Sequence, residues 1–262
     1  MDELIELMRR LRDPQTGCPW DLQQDWRSLL PHTLEEVYEL VDAIERDDIP
    51  QVRDEIGDYL FQAVFYAQIA SEKGWFDFTD VSQAIVAKLL KRHPHVFPDG
   101  TLASRRDPGV QPENGQIKET WENIKQRDRE GRALHGILDD VPVALPALQR
   151  AEKLQKRAAR SGFDWPDWRG PLAKLHEEIA EVEQAVASGE RSACEDELGD
   201  LLFSCVNLAR HLQLCPETAL RRGNAKFESR FRAMERALAA RGMCVDQCDA
   251  GMLDAAWNAS KL

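Results

Sequence analysis

Eight acidic residues stand out by their spacing. Glu36 and Glu39 are followed by Glu55 and Asp58, and the same pattern returns as Glu178 and Glu181, then Glu197 and Asp200. Residues three apart share a helix face, so two antiparallel neighbouring helices can bring four carboxylates to one point. Two like charges ~4 Å apart repel by about 4 kcal/mol at an effective dielectric near 20, so such a cluster calls for a cation. An all-oxygen donor set selects a hard ion, Mg2+ with Mn2+ as a substitute. Magnesium usually takes few protein carboxylates, so four acids leave room for a second ion or for a carboxylate kept as base.

Other readings compete. A solvated surface face accounts for many single ExxE pairs, and Thr33 to Glu36 fits a capping box that would give Glu36 a structural part. The second occurrence has Leu175 in place of Thr33 yet keeps Glu178, so capping does not explain the shared acid. The later pairs head strongly apolar segments, where acids are costly unless paired or metal-bound. A di-iron bundle would add ExxH pairs, but none of the six histidines follows a glutamate by three. His93 and His95 have no counterpart in the second half, which favours a packing or turn role over metal ligation. Neither GxxxxGK[ST] nor HExxH is present.

The acids belong to a larger internal repeat. Positions 36, 39, 55 and 58 recur at 178, 181, 197 and 200, a constant shift of 142. In the same order, Gly17-Cys-Pro-Trp20 matches Gly162-Phe-Asp-Trp165, Lys88 and Arg92 match Lys226 and Arg230, and Trp121 and Lys125 match Trp257 and Lys261. The chain therefore reads as two modules, residues 1–130 and 131–262, each of the length of a small domain. The KxxxR pairs place two cations on one helix face for phosphate, and the tryptophans with their following lysines offer an aromatic wall and another cation. A solvated surface and a core-packed Trp are the competing readings. At the same shifts Asn207 and Arg210 match Phe65 and Gln68, and Asn224 matches Val86, so the second half has more hydrogen-bonding groups and is expected to be the better catalyst.

The segments that must position these groups read as helices. Leu34 to Ile44 has apolar residues at 34, 37, 40, 41 and 44, with Glu36 and Glu39 off that stripe. Val52 to Ala70 is apolar nearly all round, as in a helix buried within a bundle. A turn over Gly74 to Thr79 leads to a further helix through Arg92, and Asp99 to Gly115 reads as a loop. Strand signals are weak, so the expected fold is all-α, with two tandem modules forming four-helix-bundle-like cores.

A net charge of −12 repels polyanions, so neither a nucleic-acid polymer nor a membrane surface is an expected partner. The first residues lack a signal-peptide pattern, and the longest apolar-rich stretches fall short of the ~20 residues that span a bilayer. The six cysteines form no CxxC pair, which fits a reducing cytoplasm.

Glu178-Ile-Ala-Glu181, Glu197-Leu-Gly-Asp200, Lys226-Phe-Glu-Ser-Arg230 and Trp257 together resemble the MazG nucleoside triphosphate pyrophosphohydrolases of the all-α NTP pyrophosphatase superfamily. The first half, with Gly17-Cys-Pro-Trp20-Asp21 and Arg92-His-Pro-His-Val-Phe97, resembles the N-terminal half of the same tandem proteins. The resemblance implies a homodimer, Mg2+ dependence, and hydrolysis of NTPs to NMP and diphosphate with broad (d)NTP use. It implies that Glu178, Glu181, Glu197 and Asp200 hold the metal, and that Lys226, Arg230 and Trp257 hold the nucleotide. Glu177 or Glu178 is the candidate base. Lys174, Lys261, Asn207 and Asn224 are further nucleotide-binding candidates, with Lys88, Arg92, Trp121 and Lys125 as a weaker set. The acids Glu36, Glu39, Glu55 and Asp58 form a second, weaker metal set. The rival reading is a non-catalytic helical module that senses nucleotide or docks a partner.

Overall fold

The computed structural model describes residues 1–109, 113–130 and 136–260, and among them there are helices and no strand. The chain divides into two compact units, Met1–Gln126 and Arg127–Leu262. Unit 1 contains α1 (Asp2–Leu11), α2 (Pro19–Gln23), α3 (Leu30–Glu45), α4 (Ile49–Glu72) and α5 (Phe78–Arg92), with α6 (Asn114–Glu130) at the division. Unit 2 contains α7 (Ala147–Arg160), α8 (Arg169–Ser188), α9 (Arg191–His211), α10 (Pro216–Ala239) and α11 (Ala250–Ala259).

Each unit is built on one helical hairpin, α3–α4 and α8–α9, packed by further helices: α1 and α5 on α4, and α7 and α10 on α9. The hairpin turns are short, which makes their helices antiparallel neighbours. In unit 1 the turn uses Asp47 at φ 55°, and the Asp48 side chain accepts a hydrogen bond from the Gln51 amide to cap α4. In unit 2 Gly189 closes α8 at φ 75°, a conformation that a residue without Cβ adopts at little cost.

Thr33 does not cap a helix. It lies inside α3, whose N-cap is Leu29, and its hydroxyl reaches the Leu29 carbonyl and the Tyr66 hydroxyl. The capping-box reading of Glu36 therefore fails, because the helix begins four residues earlier than that reading requires. The segment read as a loop to Gly115 is shorter as well, since α6 starts at Asn114.

The core of unit 1 gathers Met8 of α1, Leu29, and Val64, Phe65 and Ile69 of α4. Burying a side chain the size of Phe65 contributes about 2–3 kcal/mol. A polar clasp surrounds this core. Arg12, with its side chain almost fully buried, pairs bidentately with Glu72 at 2.8 and 2.7 Å and also donates to the carbonyls of Asp21 and Gln24, joining α1 and α2 to the end of α4. Burial opposes charge on Glu72, but the hydrogen bonds from Arg12 and Gln68 outweigh it and hold the carboxyl below its ordinary value. Replacing Arg12 by Ala leaves Glu72 without its partner and frees the two carbonyls. The expected loss is about 2–3 kcal/mol, below the range for a fully buried pair because Glu72 is partly exposed; urea unfolding of Arg12→Ala against wild type measures it.

Candidate functional site

The repeat places its acids in equivalent parts of the two hairpins. Glu36 and Glu39 lie on α3 and Glu55 and Asp58 on α4; Glu178 and Glu181 lie on α8 and Glu197 and Asp200 on α9. In unit 1 one carboxylate oxygen from each of Glu36, Glu39 and Glu55 falls within 4.8 Å of the others. In unit 2 the same holds for Glu178, Glu197 and Asp200. Three of four expected acids thus converge in each unit. The fourth lies outside the triad: Asp58 acts electrostatically on Glu36 and Glu39, and Glu178 and Glu197 act electrostatically on Glu181.

One acid in each cluster is nearly sealed from solvent, Glu55 at 4% exposure and Glu178 at 3%. Each has one oxygen, Oε2, buried and without a hydrogen-bond partner. A bare carboxylate oxygen in such a place costs several kcal/mol unless something positive meets it. With only oxygen donors around it, a hard divalent cation fits both clusters.

The two units differ in how far that charge is already balanced. In unit 2 the Lys174 ammonium lies 2.7 Å from Glu177, 2.8 Å from Glu178 and 3.8 Å from Glu181. Its hydrogen bonds to Glu177 and Glu178 push its pKa well above the ordinary lysine value. Burial and the neighbouring Glu178 carboxylate, which can accept a hydrogen bond from the protonated Glu181, raise the Glu181 carboxyl. At the matching position unit 1 has His32, which lies 3.8 Å from Glu35 and packs edge-on against Trp20. Burial first, then Asp58, Glu39, Glu55 and Glu35, raise the Glu36 carboxyl; burial, Glu55, Glu35 and Asp58 raise that of Glu39.

The nucleotide-binding candidates fall into separate places. Lys226 and Asn224 are exposed on α10 and Arg230 is half-buried there. Trp257 on α11 packs on Phe227 with ring centres 5.3 Å apart, so this tryptophan abuts the helix that carries the KxxxR pair. In unit 1 Lys88 is exposed and Arg92 half-buried on α5, and Trp121 packs edge-on against His93 at 5.0 Å. His93 also contacts His95 and the Leu89 carbonyl, which is the packing role expected for it. Lys261 and the side chain of Lys125 lie outside the described residues.

Beyond the acids, unit 2 holds a cavity of about 500 Å3 between α7, the segment before α8, and α9, lined by Gln155, Phe163, Trp165, Phe203, Asn207 and Arg210 among others. Asn207 and Arg210 follow Asp200 along α9. Asp164 clamps Arg210 with two hydrogen bonds and lies 3.1 Å from His211, while Asn207 accepts from Arg210 at 2.7 and 3.1 Å. The Gln155 amide nitrogen donates to the Phe203 carbonyl at 2.8 Å, and its oxygen is buried without a partner. In unit 1 the position of Asn207 is Phe65, 1% exposed in the core, with the Arg12 guanidinium 5.4 Å from the ring centre. Sequence reasoning missed Asp164, because no helical spacing relates it to an arginine 46 residues away.

The family comparison agrees with this doubled arrangement. The model of the MazG nucleotide pyrophosphohydrolase domain matches residues 24–97 and 170–234, one stretch around each hairpin. The chain belongs to the MazG family. It is 47% identical, over its full length and 97% of the relative, to the Escherichia coli K12 protein named nucleoside triphosphate pyrophosphohydrolase. It is 38% identical to the Thermotoga maritima protein named nucleoside triphosphate pyrophosphohydrolase/pyrophosphatase MazG, with 99% of this chain and 95% of the relative covered. A Bacillus subtilis protein, YabN, is 38% identical over 97% of this chain, which spans 50% of that relative. The two MazG stretches contain all eight acids and both KxxxR pairs, whereas Phe163, Asp164 and Trp165 lie just outside the second.

The Arg210 hydrogen bonds, against the pull of burial, lower the Asp164 pKa to about 2. A carboxyl depressed in this way stabilises the fold fully above its unfolded value of ~4 and ceases to do so as the pH falls through the folded value. The contribution is about 2 kcal/mol. Wild type is therefore expected to lose stability between about pH 5 and pH 2 more steeply than Asp164→Asn, as measured by urea midpoints across that range.

Proposed function

We infer that this chain hydrolyses nucleoside triphosphates between the α and β phosphates, giving the monophosphate and diphosphate, and that unit 2 does so. The observation that carries this is the buried, unpartnered Glu178 Oε2 within a cluster closed by Glu197 and Asp200. Family membership and the relatives' names support the reaction class.

Glu178, Glu197 and Asp200 hold the cation, with Glu181 beside them. Mg2+ is the ion, with Mn2+ as a substitute, and when bound it neutralises charge developing on the leaving diphosphate. Glu178 is occupied as a ligand, so Glu177 next to it takes the proton from the attacking water. The water oxygen bonds to the α phosphorus as the bond from that phosphorus to the bridging oxygen breaks, and diphosphate leaves with the bonding pair. Lys174, already hydrogen-bonded to Glu177, orients it and adds positive charge near the phosphates. Lys226, Arg230 and Lys261 supply further cations and Trp257 an aromatic wall.

The cavity beside Asn207 receives the base. Asn207 and the unpartnered Gln155 oxygen offer hydrogen-bonding groups between the apolar surfaces of Phe163, Trp165 and Phe203, a lining that accepts several bases and suits broad (d)NTP use. Exposed apolar residues on the unit 2 hairpin, Ile179, Leu198 and Leu202, support association of two copies. Among the described residues no helix is long and apolar enough to cross a membrane. The net charge of −12 disfavours a nucleic-acid polymer or an anionic membrane surface as partner, and six free cysteines support work in a reducing cytoplasm.

Incubation with ATP and GTP, with products resolved by anion exchange, is expected to show NMP and diphosphate. Release of NDP and orthophosphate refutes the bond assignment, and tight Mg2+-dependent binding without turnover favours the sensing module instead. Glu197→Gln is expected to abolish most hydrolysis and Glu55→Gln to leave most of it, with folding checked by circular dichroism. Equal losses, or a larger loss from Glu55→Gln, would move the main site to unit 1. Asn207→Phe, which copies the unit 1 residue, should raise KM for ATP about tenfold or more by filling the base cavity.

A further inference from the structure

We propose that Asp164 is a positioning residue of the unit 2 cavity: acting through Arg210, it locks the Asn207 amide so that the NH2 group, and not the oxygen, is offered to the base. The inference rests on the reading that this cavity receives the base. The chemistry of the partners decides which way each amide points. A guanidinium only donates, and Arg210 meets Asn207 Oδ1 with Nε at 3.1 Å and with a terminal nitrogen at 2.7 Å. Asn207 turned the other way would set its own N–H groups against those donors, so Nδ2 is what it offers a ligand. A backbone carbonyl only accepts, so Gln155, whose amide nitrogen lies 2.8 Å from the Phe203 carbonyl, keeps its oxygen turned away from that carbonyl. The oxygen is buried without a partner, on a residue only 6% exposed. Asn207 and Gln155 both line the cavity, which therefore presents one fixed donor and one fixed acceptor.

Asp164 holds the first of these in place at one remove. It grips the far edge of the guanidinium with both carboxylate oxygens, one of them at 2.9 Å, and His211 Nε2 lies 3.0 Å from the Arg210 terminal nitrogen that also meets Asn207. All three guanidinium nitrogens are engaged within the protein, so Arg210 is a strut and not a phosphate ligand. Its side chain is 12% exposed, and a cation so placed does not keep this pose without its anion. The strut is also specific to unit 2. The positions of Asp164, Asn207 and Arg210 hold Pro19, Phe65 and Gln68 in unit 1, where Gln68 donates instead to Glu72. All three members change together between units that both keep the four acids, which ties the strut to recognition of the ligand and not to the metal. The ligand class that matches is a nucleobase, whose polar edge carries an acceptor next to a donor; a sugar triphosphate without a base has no such edge to offer.

Full-length protein and its variants would be assayed with ATP and with ribose 5-triphosphate, which carries the same phosphates and no base. Asn207→Ala is expected to lower the preference for ATP, the ratio of the two kcat/KM values, about tenfold, the worth of one hydrogen bond, with the change in KM for ATP and not in kcat. Asp164→Ala should cause the same loss and Asp164→Glu should recover most of it. The double variant Asp164→Ala/Asn207→Ala should lose no more than Asn207→Ala alone, because both changes act on one amide. A purely structural role for Asp164 would depress both substrates equally and leave the ratio at its wild-type value, and that result would overturn the proposal, as would losses that add in the double variant. A wild-type ratio in Asn207→Ala would overturn it together with the placement of the base. Calorimetric binding of AMP against ribose 5-phosphate yields the corresponding ratio without turnover, so absence of hydrolysis alone would count against the reaction assigned above and not against the strut.

Discussion

Carboxylates that repel one another, held close on adjacent helices, set the terms for the rest of this molecule. A cluster of this kind is unfavourable on its own, and the fold tolerates it because other contacts hold the hairpins together. In unit 1 the apolar face of α4 packs against α1 and the Arg12 clasp secures the end of that helix. In unit 2 the hairpin is braced by α7, through Gln155 bonded to the Phe203 carbonyl, and by Asp164 gripping Arg210. The acids can then be spent on chemistry, since the surrounding structure does not depend on them for cohesion.

Duplication makes each unit a control for the other. The same motif carries its buried acid on the second hairpin helix in unit 1 and on the first in unit 2, because Glu55 matches Glu197 while Glu178 matches Glu36. Around them, one unit has core where the other has a polar recess, with Phe65 at the position of Asn207. The difference exchanges hydrogen-bonding groups for apolar burial.

The acid pairs, their helices and the tandem arrangement could be read from spacing alone, because three-residue periodicity and a constant shift survive without any knowledge of contacts. The family assignment followed from the same landmarks and is upheld by the two matched stretches. What spacing could not show was set by tertiary packing. Nothing local distinguishes Glu55 and Glu178 as the sealed acids, or places Lys174 among three carboxylates while His32 turns aside. Thr33 misled for the opposite reason: its local pattern is a valid helix start, but Leu30 and Pro31 had already begun the helix upstream.

The Arg12 clasp has a bearing on the order in which the chain assembles. Its two ends are 60 residues apart, whereas each hairpin is closed by a turn of a few residues. Contacts between near neighbours in sequence form early, and those that close a long loop come later. During synthesis α1 leaves the ribosome before α4, so its buried arginine has no carboxylate to meet until α4 is complete. Helix α1 is in this sense made early and fixed late, and until then Met8 and the face around it remain without the core that covers them.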